Sequence, residues 1–191
     1  PPVFGEDEFI TVRDAIRDLP EVAPGQVCKN DPFHRSAKHK QTTIDTISAV
    51  AKNGGSRPSG IGPESLDKFS GYYDVYGRLF WDKPSITLTQ YARNPASGRY
   101  SHPEQNRGLT IREAARLQSF PDAYEFVGSL DKCFKQIGES VPPLLSLAIA
   151  QQIAITELDI QLDSSQRQAK IIDSPVTSSF SSLIASLKRV R

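Results

Sequence analysis

The chain of 191 residues is 38% apolar with a mean hydropathy of −0.40, which suits one soluble domain or one domain with a small additional lobe. No stretch approaches the roughly 18 consecutive apolar residues of a membrane span, and Glu6, Asp7 and Glu8 are unlike a secretory signal, so we expect a cytoplasmic protein without a membrane partner. The net charge of +1 is uneven, because 12 Lys and Arg stand against 7 Asp and Glu between Cys28 and Arg107; this excess fits either phosphate binding or an uneven solvated surface.

Two helices are predicted in the first 52 residues. Thr11 can cap the first helix, because Asp14 stands at its third position, and Pro20 ends the apolar spacing that follows. Residues 21–35 are rich in turn formers, so turns are predicted there. A second helix is predicted from about residue 37 to 52, ended by Gly54, with an inward face of Ile44, Ile47, Val50 and Ala51.

The stretch from residue 54 to 107 has a different pattern. Gly, Pro and Ser separate short β-prone pieces, and in one of them Ile86 and Leu88 alternate with Thr87 and Thr89. We therefore predict a small, irregular β-rich lobe with many loops, where recognition residues commonly lie.

Helical character returns at Thr110, which forms a capping box with Glu113. Pro121 prevents that helix from continuing. A longer helix begins near Pro142 or Pro143 and is apolar on more than one side, so other structure should cover it. In the first of these helices we expect internal ion pairs, rather than catalytic contacts, from Arg112, Glu113 and Arg116.

The cysteines and histidines do not form a metal-ligand pattern. Cys28 and Cys133 have no CxxC partner and no His or Cys at ligand spacing, so two buried free thiols are expected and no metal site. His102 lies in a Ser-His-Pro turn without an acidic residue at readable spacing. A hydrogen-bonded turn histidine is therefore favoured over a general base.

Two segments carry the most specific pattern. They are RGLTIREAARLQSFPD, from Arg107 to Asp122, and QIGESVPPLL, from Gln136 to Leu145. In this order and at this separation they resemble the last two sequence blocks of DNA (cytosine-5) methyltransferases. Weaker similarity extends the resemblance to about residues 9–155, of bacterial and phage type, through Gly54–Arg57, Asp74–Thr89 and Asn94–Gln105.

The resemblance implies an α/β fold in which a target-recognition lobe accompanies helices that complete a Rossmann-like methyltransferase lobe. It implies a connector with a short helix over residues 1–36, a DNA-binding lobe over 37–106 and a closing segment over 107–158. Residues 159–191 are interpreted as a linker and an amphipathic helix. Most of the Rossmann-like lobe is expected from amino-terminal sequence outside these 191 residues.

The resemblance also implies an activity. In the family a cysteine thiolate adds to C6 of a cytosine rotated out of duplex DNA, and C5 then takes a methyl group from S-adenosyl-L-methionine. That thiolate lies in a Pro-Cys dipeptide, whereas Cys28 follows Val27 and Cys133 follows Lys132. No catalytic residue is therefore assigned, and the chain is expected to be inactive without an amino-terminal catalytic half.

Recognition residues and cofactor residues are carried over by position. Glycines permit close approach of DNA, and arginine can read guanine through two hydrogen bonds. The DNA-contact candidates are Gly54, Gly55, Ser56, Arg57, Tyr76, Gly77, Arg78, Thr87, Thr89, Arg93 and Arg99. The cofactor candidates form the turn before the long helix, where Glu139 replaces the family's asparagine and Ser140 can cap the helix: Gly138, Glu139, Ser140 and Val141.

Two other functions stay open. Each candidate considered singly could be an ordinary turn residue or an exposed salt-bridge arginine. The whole chain could be a DNA-binding remnant without catalysis, which the substitution at Glu139 and the absent nucleophile favour slightly. It could also be a structural subunit that engages protein through residues 180–187.

Overall fold

The computed structural model describes residues 9–68 and 71–157, with side chains to Ile153. Its helices and strands follow in the order α1 (Val12–Ile16), β1 (Val27–Cys28), β2 (Asp31–Arg35), α2 (Gln41–Ser48), α3 (Ile111–Leu117), α4 (Leu130–Glu139) and α5 (Pro143–Glu157). Single 3-10 turns occur at Glu64–Leu66 and Pro95–Ser97. This mixture of helix and small sheet agrees with a fragment of an α/β protein.

Helix α1 forms where the capping pattern predicts it. The Thr11 hydroxyl accepts from the Asp14 N–H, and the Asp14 carboxylate accepts from the Thr11 N–H at 2.9 Å. The backbone N–H of Val12 and that of Arg13 donate to the carbonyls of Lys83 and Trp81. The start of α1 is thereby attached to a segment about 70 residues later in the chain.

The only regular sheet in the described residues lies outside the predicted β-rich lobe. Strands β1 and β2 pair antiparallel within the stretch predicted as turns. Described residues 54–106 hold no strand, only isolated bridges of Arg78 and Gly108 to Ser101. The β-rich prediction for this lobe is wrong because arginine side chains, rather than a strand ladder, take up many of its carbonyls.

Helix α2 is shorter than predicted. Residues 37–40 are not helical: the Ala37 carbonyl accepts from the Gly25 N–H, Lys40 has an extended backbone, and the helix begins only after Lys40. Ile47 and Val50 are buried as expected, but Ala51 is exposed because the helix has already ended at Ser48. Asn53 and Gly54 then adopt positive φ values of 54° and 94°.

The main hydrophobic core surrounds α3. Thr110 and Glu113 form the expected capping box, and α3 packs against α1, β2 and α4. Ile111, Ala114 and Ala115 are fully buried in this core. A second, smaller cluster of Ile47, Val75 and Tyr76 lies within the lobe of residues 37–106.

Helix α4 is an element that the sequence analysis missed. Ser129 caps it, and Leu130, Cys133, Phe134 and Ile137 recur at helical spacing on its inward side. The block predicted as a turn before the long helix therefore begins inside α4. Gly138 and Glu139 are its last two residues.

Helix α5 begins at Pro143, as predicted, but its apolar surface is open among the described residues. Leu145, Ile149 and Ile153 are exposed to 52%, 49% and 52%. They recur every four residues and so share one side of the helix. The predicted linker and amphipathic helix over 159–191 lie outside the described residues, and none of the described helices has the length and apolar content of a bilayer span.

Candidate functional site

Several predicted recognition residues meet around the Arg99 guanidinium. Its Nη1 donates to the carbonyls of Gly54, Gly55 and Arg78 at 2.9–3.1 Å. Its Nη2 donates to the Ser56 hydroxyl at 2.7 Å, and its Nε donates to Asp74 at 2.8 Å. Arg99 thus joins the loop at residues 54–56 to the segment around Arg78. We call this arrangement the Arg99 cluster (Gly54, Gly55, Ser56, Asp74, Gly77, Arg78 and Arg99).

Arg78 is a buried internal donor, with 1% of its surface exposed. Its guanidinium donates to the carbonyls of Val50, His102, Gln105 and Ile47 and to the Asn106 side chain. All three of its nitrogens have acceptors, so none is free to read a base edge. Arg99 also donates mainly inside the protein, and the direct DNA contacts proposed for Arg78 and Arg99 stay predictions that this arrangement does not favour.

The glycines of the cluster and the neighbouring Tyr76 also have internal roles. A Cβ at Gly54 would overlap the Phe80 ring, and one at Gly55 would overlap the Ala51 carbonyl. A Cβ at Gly77 would lie 3.0 Å from the Arg99 guanidinium carbon. Tyr76 is 7% exposed and packs in the smaller core. These residues fit tight packing of the lobe upon itself, and only Ser56 in the cluster's loop is exposed.

Arg57 closes the next loop. Its Nη1 donates to the Ile61 carbonyl at 2.7 Å and its Nη2 to Asp67 at 2.8 Å. The hydrogen bond from Arg57, with one from the Gly60 N–H, lowers the pKa of Asp67. Arg93 is paired with Asp131 and keeps 41% of its side chain exposed. Several arginines of the basic middle stretch are therefore paired inside the protein, and phosphate binding by its other basic residues stays a prediction.

A second group of candidates lies on an exposed segment, residues 85–91, which we call the outer segment. Thr87 and Thr89 are exposed, while Leu88 between them is buried. The Tyr100 hydroxyl donates to the Thr87 carbonyl at 3.2 Å and lies 3.2 Å from the Thr89 hydroxyl. Tyr100, which the sequence analysis did not single out, thus holds the segment from below.

The cofactor candidates divide between inward and outward positions. A Cβ at Gly138 would overlap the backbone joining Thr89 to Gln90, so Gly138 lies directly against the outer segment. The Ser140 hydroxyl donates to the Ile137 carbonyl at 2.7 Å, so it completes α4 and does not cap α5 as predicted. Val141 is 59% exposed, and the exposed Glu139 lies 3.7 Å from Lys135.

The block from Arg107 to Asp122 forms the buried ion pairs expected of it. Arg107 binds Glu113 through two hydrogen bonds of 2.7 and 2.8 Å, with both side chains at most 1% exposed. Although burial opposes ionisation, the Arg107 charge and hydrogen bonds lower the pKa of Glu113 to about 2. Arg112 pairs with Asp31, and Arg116 pairs with Asp18 and Asp122.

His102 is the hydrogen-bonded turn residue that the sequence predicts. Its Nδ1 accepts from the backbone N–H groups of Glu104 and Gln105, and its ring packs edge-on against Trp81. Burial lowers the pKa of His102 to about 4, outweighing Glu113 at 3.9 Å. The ring is therefore neutral near pH 7.

The cysteines are free, and only one is fully buried. Cys133 lies in the main core, whereas Cys28 is half-buried, which corrects the expectation for Cys28. Burial raises the pKa of the Cys133 thiol despite the opposing effect of Arg35. Over the described ranges, no group of His, Cys, Asp and Glu is arranged to hold a metal ion.

Residues 6–154 match the family described as C-5 cytosine-specific DNA methylase. The chain belongs to this family. The match extends from before α1 into α5, so it includes both the Arg99 cluster and the outer segment.

Individual methylases show the same similarity. The chain is 35% identical over 161 residues to the type II methylase M.HgiDII of Herpetosiphon aurantiacus, which covers 80% of this chain and 46% of that protein. It is 41% identical over 148 residues to the type II methyltransferase M1.HphI of Haemophilus parahaemolyticus, and the match covers 76% of this chain and 37% of that protein. DNA (cytosine-5)-methyltransferase 1 of Mus musculus is 35% identical over 116 residues, covering 60% and 7%. The chain thus spans less than half the length of these methylases.

Proposed function

We propose that this chain is the DNA-recognition and closing part of a cytosine-5 DNA methyltransferase. The complete enzyme would transfer a methyl group from S-adenosyl-L-methionine to C5 of a flipped cytosine in a specific duplex sequence. The observation that supports this most is the contact between Gly138 and the backbone of Thr89 and Gln90. It joins the segment proposed to meet DNA to the turn proposed to meet the methyl donor.

The nucleophile is proposed to come from polypeptide other than these residues. A cysteine nucleophile must be ionised and accessible, because the thiolate is the reacting species. Cys133 is 1% exposed and its pKa is raised, and its sulfur lies 3.8 Å from the Gly128 carbonyl inside the core. Neither condition is met there. Cys28 is half-buried but follows Val27 and so lacks the family's Pro-Cys dipeptide. In this proposal a second portion of the enzyme brings the thiolate to C6 of the base.

The exposed members of the α4–α5 turn fit one edge of the methyl donor. The Glu139 carboxylate can accept hydrogen bonds from an ammonium group or a ribose hydroxyl, although it cannot donate as an asparagine amide does. Val141 offers an exposed apolar side chain beside it. Gly138 and Ser140 point into the protein and support the turn. S-adenosyl-L-methionine, when bound, supplies the activated methyl group.

DNA recognition is proposed for exposed residues carried on a rigid base. Thr87 and Thr89 present hydroxyls that can donate to or accept from base edges and phosphates. Ser56, a member of the Arg99 cluster, is also exposed, and the Arg93 side chain is partly exposed. Four exposed lysines can add contacts to phosphates: Lys38, Lys40, Lys52 and Lys83. Such contacts would offset the few kcal/mol required to rotate a base out of the stack.

Helix α5 supplies a surface for the catalytic half. Its exposed Leu145, Ile149 and Ile153 form an apolar stripe of a kind normally covered by other protein. The proposed cover is the Rossmann-like lobe that carries the nucleophile and most of the cofactor pocket. The chain alone would then be inactive, and assembly would create the active site.

The test compares the chain alone with the chain assembled with its amino-terminal catalytic half. Each preparation is incubated with duplex DNA and S-adenosyl-L-methionine carrying a labelled methyl group, and 5-methylcytosine is measured after hydrolysis of the DNA. Product is expected only from the assembled form. Methylation by the chain alone would contradict the division of roles, and a folded, assembled form that yields no 5-methylcytosine would contradict the proposed activity.

A gel mobility-shift measurement on the same preparations distinguishes the non-catalytic alternatives. A remnant that only binds DNA would retard the duplex in the assembled form without producing 5-methylcytosine. An alternative structural subunit would associate with the catalytic half and leave DNA affinity unchanged relative to that half alone.

A further inference from the structure

The outer segment is an exposed stretch with a fixed base. It contains no regular hydrogen-bonded element, yet three inward contacts hold it: buried Leu88, the Tyr100 hydroxyl and the Gly138 backbone. The first of these is ordinary core packing. The other two tie it to different parts of the molecule.

Tyr100 connects the outer segment to the block that precedes α3. Its hydroxyl donates to the Thr87 carbonyl and can accept from the Thr89 hydroxyl, which itself accepts from the Tyr91 N–H. Its own carbonyl accepts from the Leu109 N–H at 3.1 Å. Only 3% of the Tyr100 surface is exposed, so its buried ring holds the hydroxyl in place beside both threonines.

Gly138 connects the outer segment to the proposed cofactor turn. The backbone of Thr89 and Gln90 occupies the space that any side chain at Gly138 would need. Backbone cannot move aside as a flexible side chain can, so a shift of the outer segment must be met by α4 or by the turn after it. Exposed Glu139 and Val141 follow Gly138 directly.

We propose that Tyr100 and Gly138 are positioning residues that couple duplex binding to methyl-donor binding through the outer segment. This inference rests on the proposed function and adds a linkage between its two ligands. Tyr100 and Gly138 hold the outer segment against the end of α4. A duplex bound at Thr87 and Thr89 and a donor bound at the cofactor turn therefore act on the two sides of one backbone contact. Each ligand favours the arrangement of that contact to which the other binds, so each tightens the other.

The experiment measures that linkage directly. Duplex affinity of the assembled enzyme is determined by fluorescence anisotropy with and without S-adenosylhomocysteine, which binds as the donor does and transfers no methyl group. The duplex is one that the enzyme methylates. Wild-type enzyme is expected to bind it about tenfold more tightly with S-adenosylhomocysteine present.

Two variants test the residues. Tyr100→Phe keeps the ring and removes the hydroxyl, and it is expected to reduce the tenfold factor to about two, with S-adenosylhomocysteine affinity in the absence of DNA changed less than about twofold. Gly138→Ala is expected to abolish the factor. Should Gly138→Ala fail to fold, Tyr100→Phe decides the question alone. Tyr124→Phe is the matched control, because the Tyr124 hydroxyl has no hydrogen bond within the described residues.

The outcomes separate the two proposals. Enzyme that binds neither ligand contradicts the proposed function. Wild-type enzyme that binds both ligands independently, or a Tyr100→Phe variant that keeps the full factor, overturns the coupling and leaves the proposed function standing. A loss of the factor in Tyr124→Phe equal to that in Tyr100→Phe would also overturn it, because a specific hydroxyl would not then be responsible.

Discussion

At the scale of single residues, arginine is used here mainly as an internal hydrogen-bond donor. Arg78, Arg99 and Arg107 together join carbonyl groups from loops distant in sequence. The planar guanidinium offers five donors in a fixed fork, which a loop-rich lobe without strands can use to satisfy its backbone. Their sequence context identified these arginines as noteworthy, but composition cannot distinguish a buried donor from one that faces DNA.

Arg78→Met should destabilise the protein strongly. The change removes a charged donor from four carbonyls, of which those of Ile47 and Gln105 keep a backbone N–H donor, so the free energy of unfolding should fall by more than about 3 kcal/mol. Arg78→Lys should lose nearly as much, since one ammonium cannot reach all of these acceptors. Urea denaturation measures both. Exposed Lys52→Met is the control, with an expected change within about 0.5 kcal/mol, and a comparable loss in that variant would contradict the interpretation.

His102 should make stability depend on pH between about 4 and 6.5. Its pKa is about 4 in the folded protein against 6.5 as an ordinary value, so in this window only the unfolded chain takes up the proton. Stability from this group is fully present above pH 6.5 and is lost as pH falls to 4, by up to about 3 kcal/mol.

His102→Asn separates this effect from that of other titrating groups. An asparagine oxygen can still accept from the N–H groups of Glu104 and Gln105, but it does not titrate. Urea unfolding at a series of pH values should show a weaker pH dependence in the variant over this window. Identical profiles for variant and wild type would mean that His102 titrates equally in the folded and unfolded states.

At the scale of elements, local signals predicted the helices that begin with a capping box, and long-range contacts decided the rest. Helices α1 and α3 start at Thr11 and Thr110 because each cap satisfies orphan backbone groups within four residues. Helix α4 has a regular apolar spacing in its sequence, with Ser129 as its cap. The absence of strands in the described lobe could not be read locally, since it depends on Arg78 and Arg99 reaching carbonyls 21–45 residues away.

The candidate site also depends on long-range contacts that local sequence does not reveal. The resemblance grouped residues that the structure does bring into contact: Gly54, Gly55, Ser56, Arg78 and Arg99. The resemblance could not tell whether their side chains face the protein interior or DNA. The proposed contacts to DNA and cofactor stay predictions. The packing of Gly138 against Thr89 has no local signal, since the two positions are far apart in the chain.

The two capping boxes should differ in strength. Thr110 is fully buried and its hydroxyl also lies 3.0 Å from His34 Nδ1, whereas Thr11 lies nearer the surface. Thr110→Ala should cost about 2 kcal/mol or more, and Thr11→Ala about 1 kcal/mol or less. Chemical denaturation of the two variants provides a matched comparison. Equal losses would show that the cap alone, and not the His34 contact, sets the value.

At the scale of the whole molecule, ion pairs join the early segment to the block around α3, whereas α5 has an exposed apolar side. Ion pairs join the segment before residue 36 to the block from Arg107 to Asp122, through Arg112–Asp31 and Arg116–Asp18. Helix α5, by contrast, carries its exposed apolar stripe away from that core. This asymmetry is what the proposed division into a recognition part and a catalytic half predicts.

Leu145→Glu should weaken assembly with the catalytic half without unfolding the chain. A carboxylate at a half-exposed position costs little in the chain alone but would be desolvated in a covered interface. Association measured by size-exclusion chromatography should weaken by at least about tenfold. Ser146→Glu places the same charge at the neighbouring polar, exposed position. An equal loss in both variants would indicate simple charge repulsion, and no loss in either would exclude α5 from the interface.

The long-range contacts of the block from Arg107 to Asp122 can form only late in synthesis on the ribosome. Arg112, Arg107 and Arg116 reach partners that lie 81, 85 and 98 residues earlier in the chain. At the usual 5 to 20 residues per second, the early segment would wait roughly 4 to 20 s for them. During that interval Val12 and Ile16 lack the part of their core that α3 and α4 contribute, since these helices have not yet been made. Slow translation through the intervening lobe would therefore lengthen exposure to aggregation and to chaperones, which makes yield in cells sensitive to codon choice there.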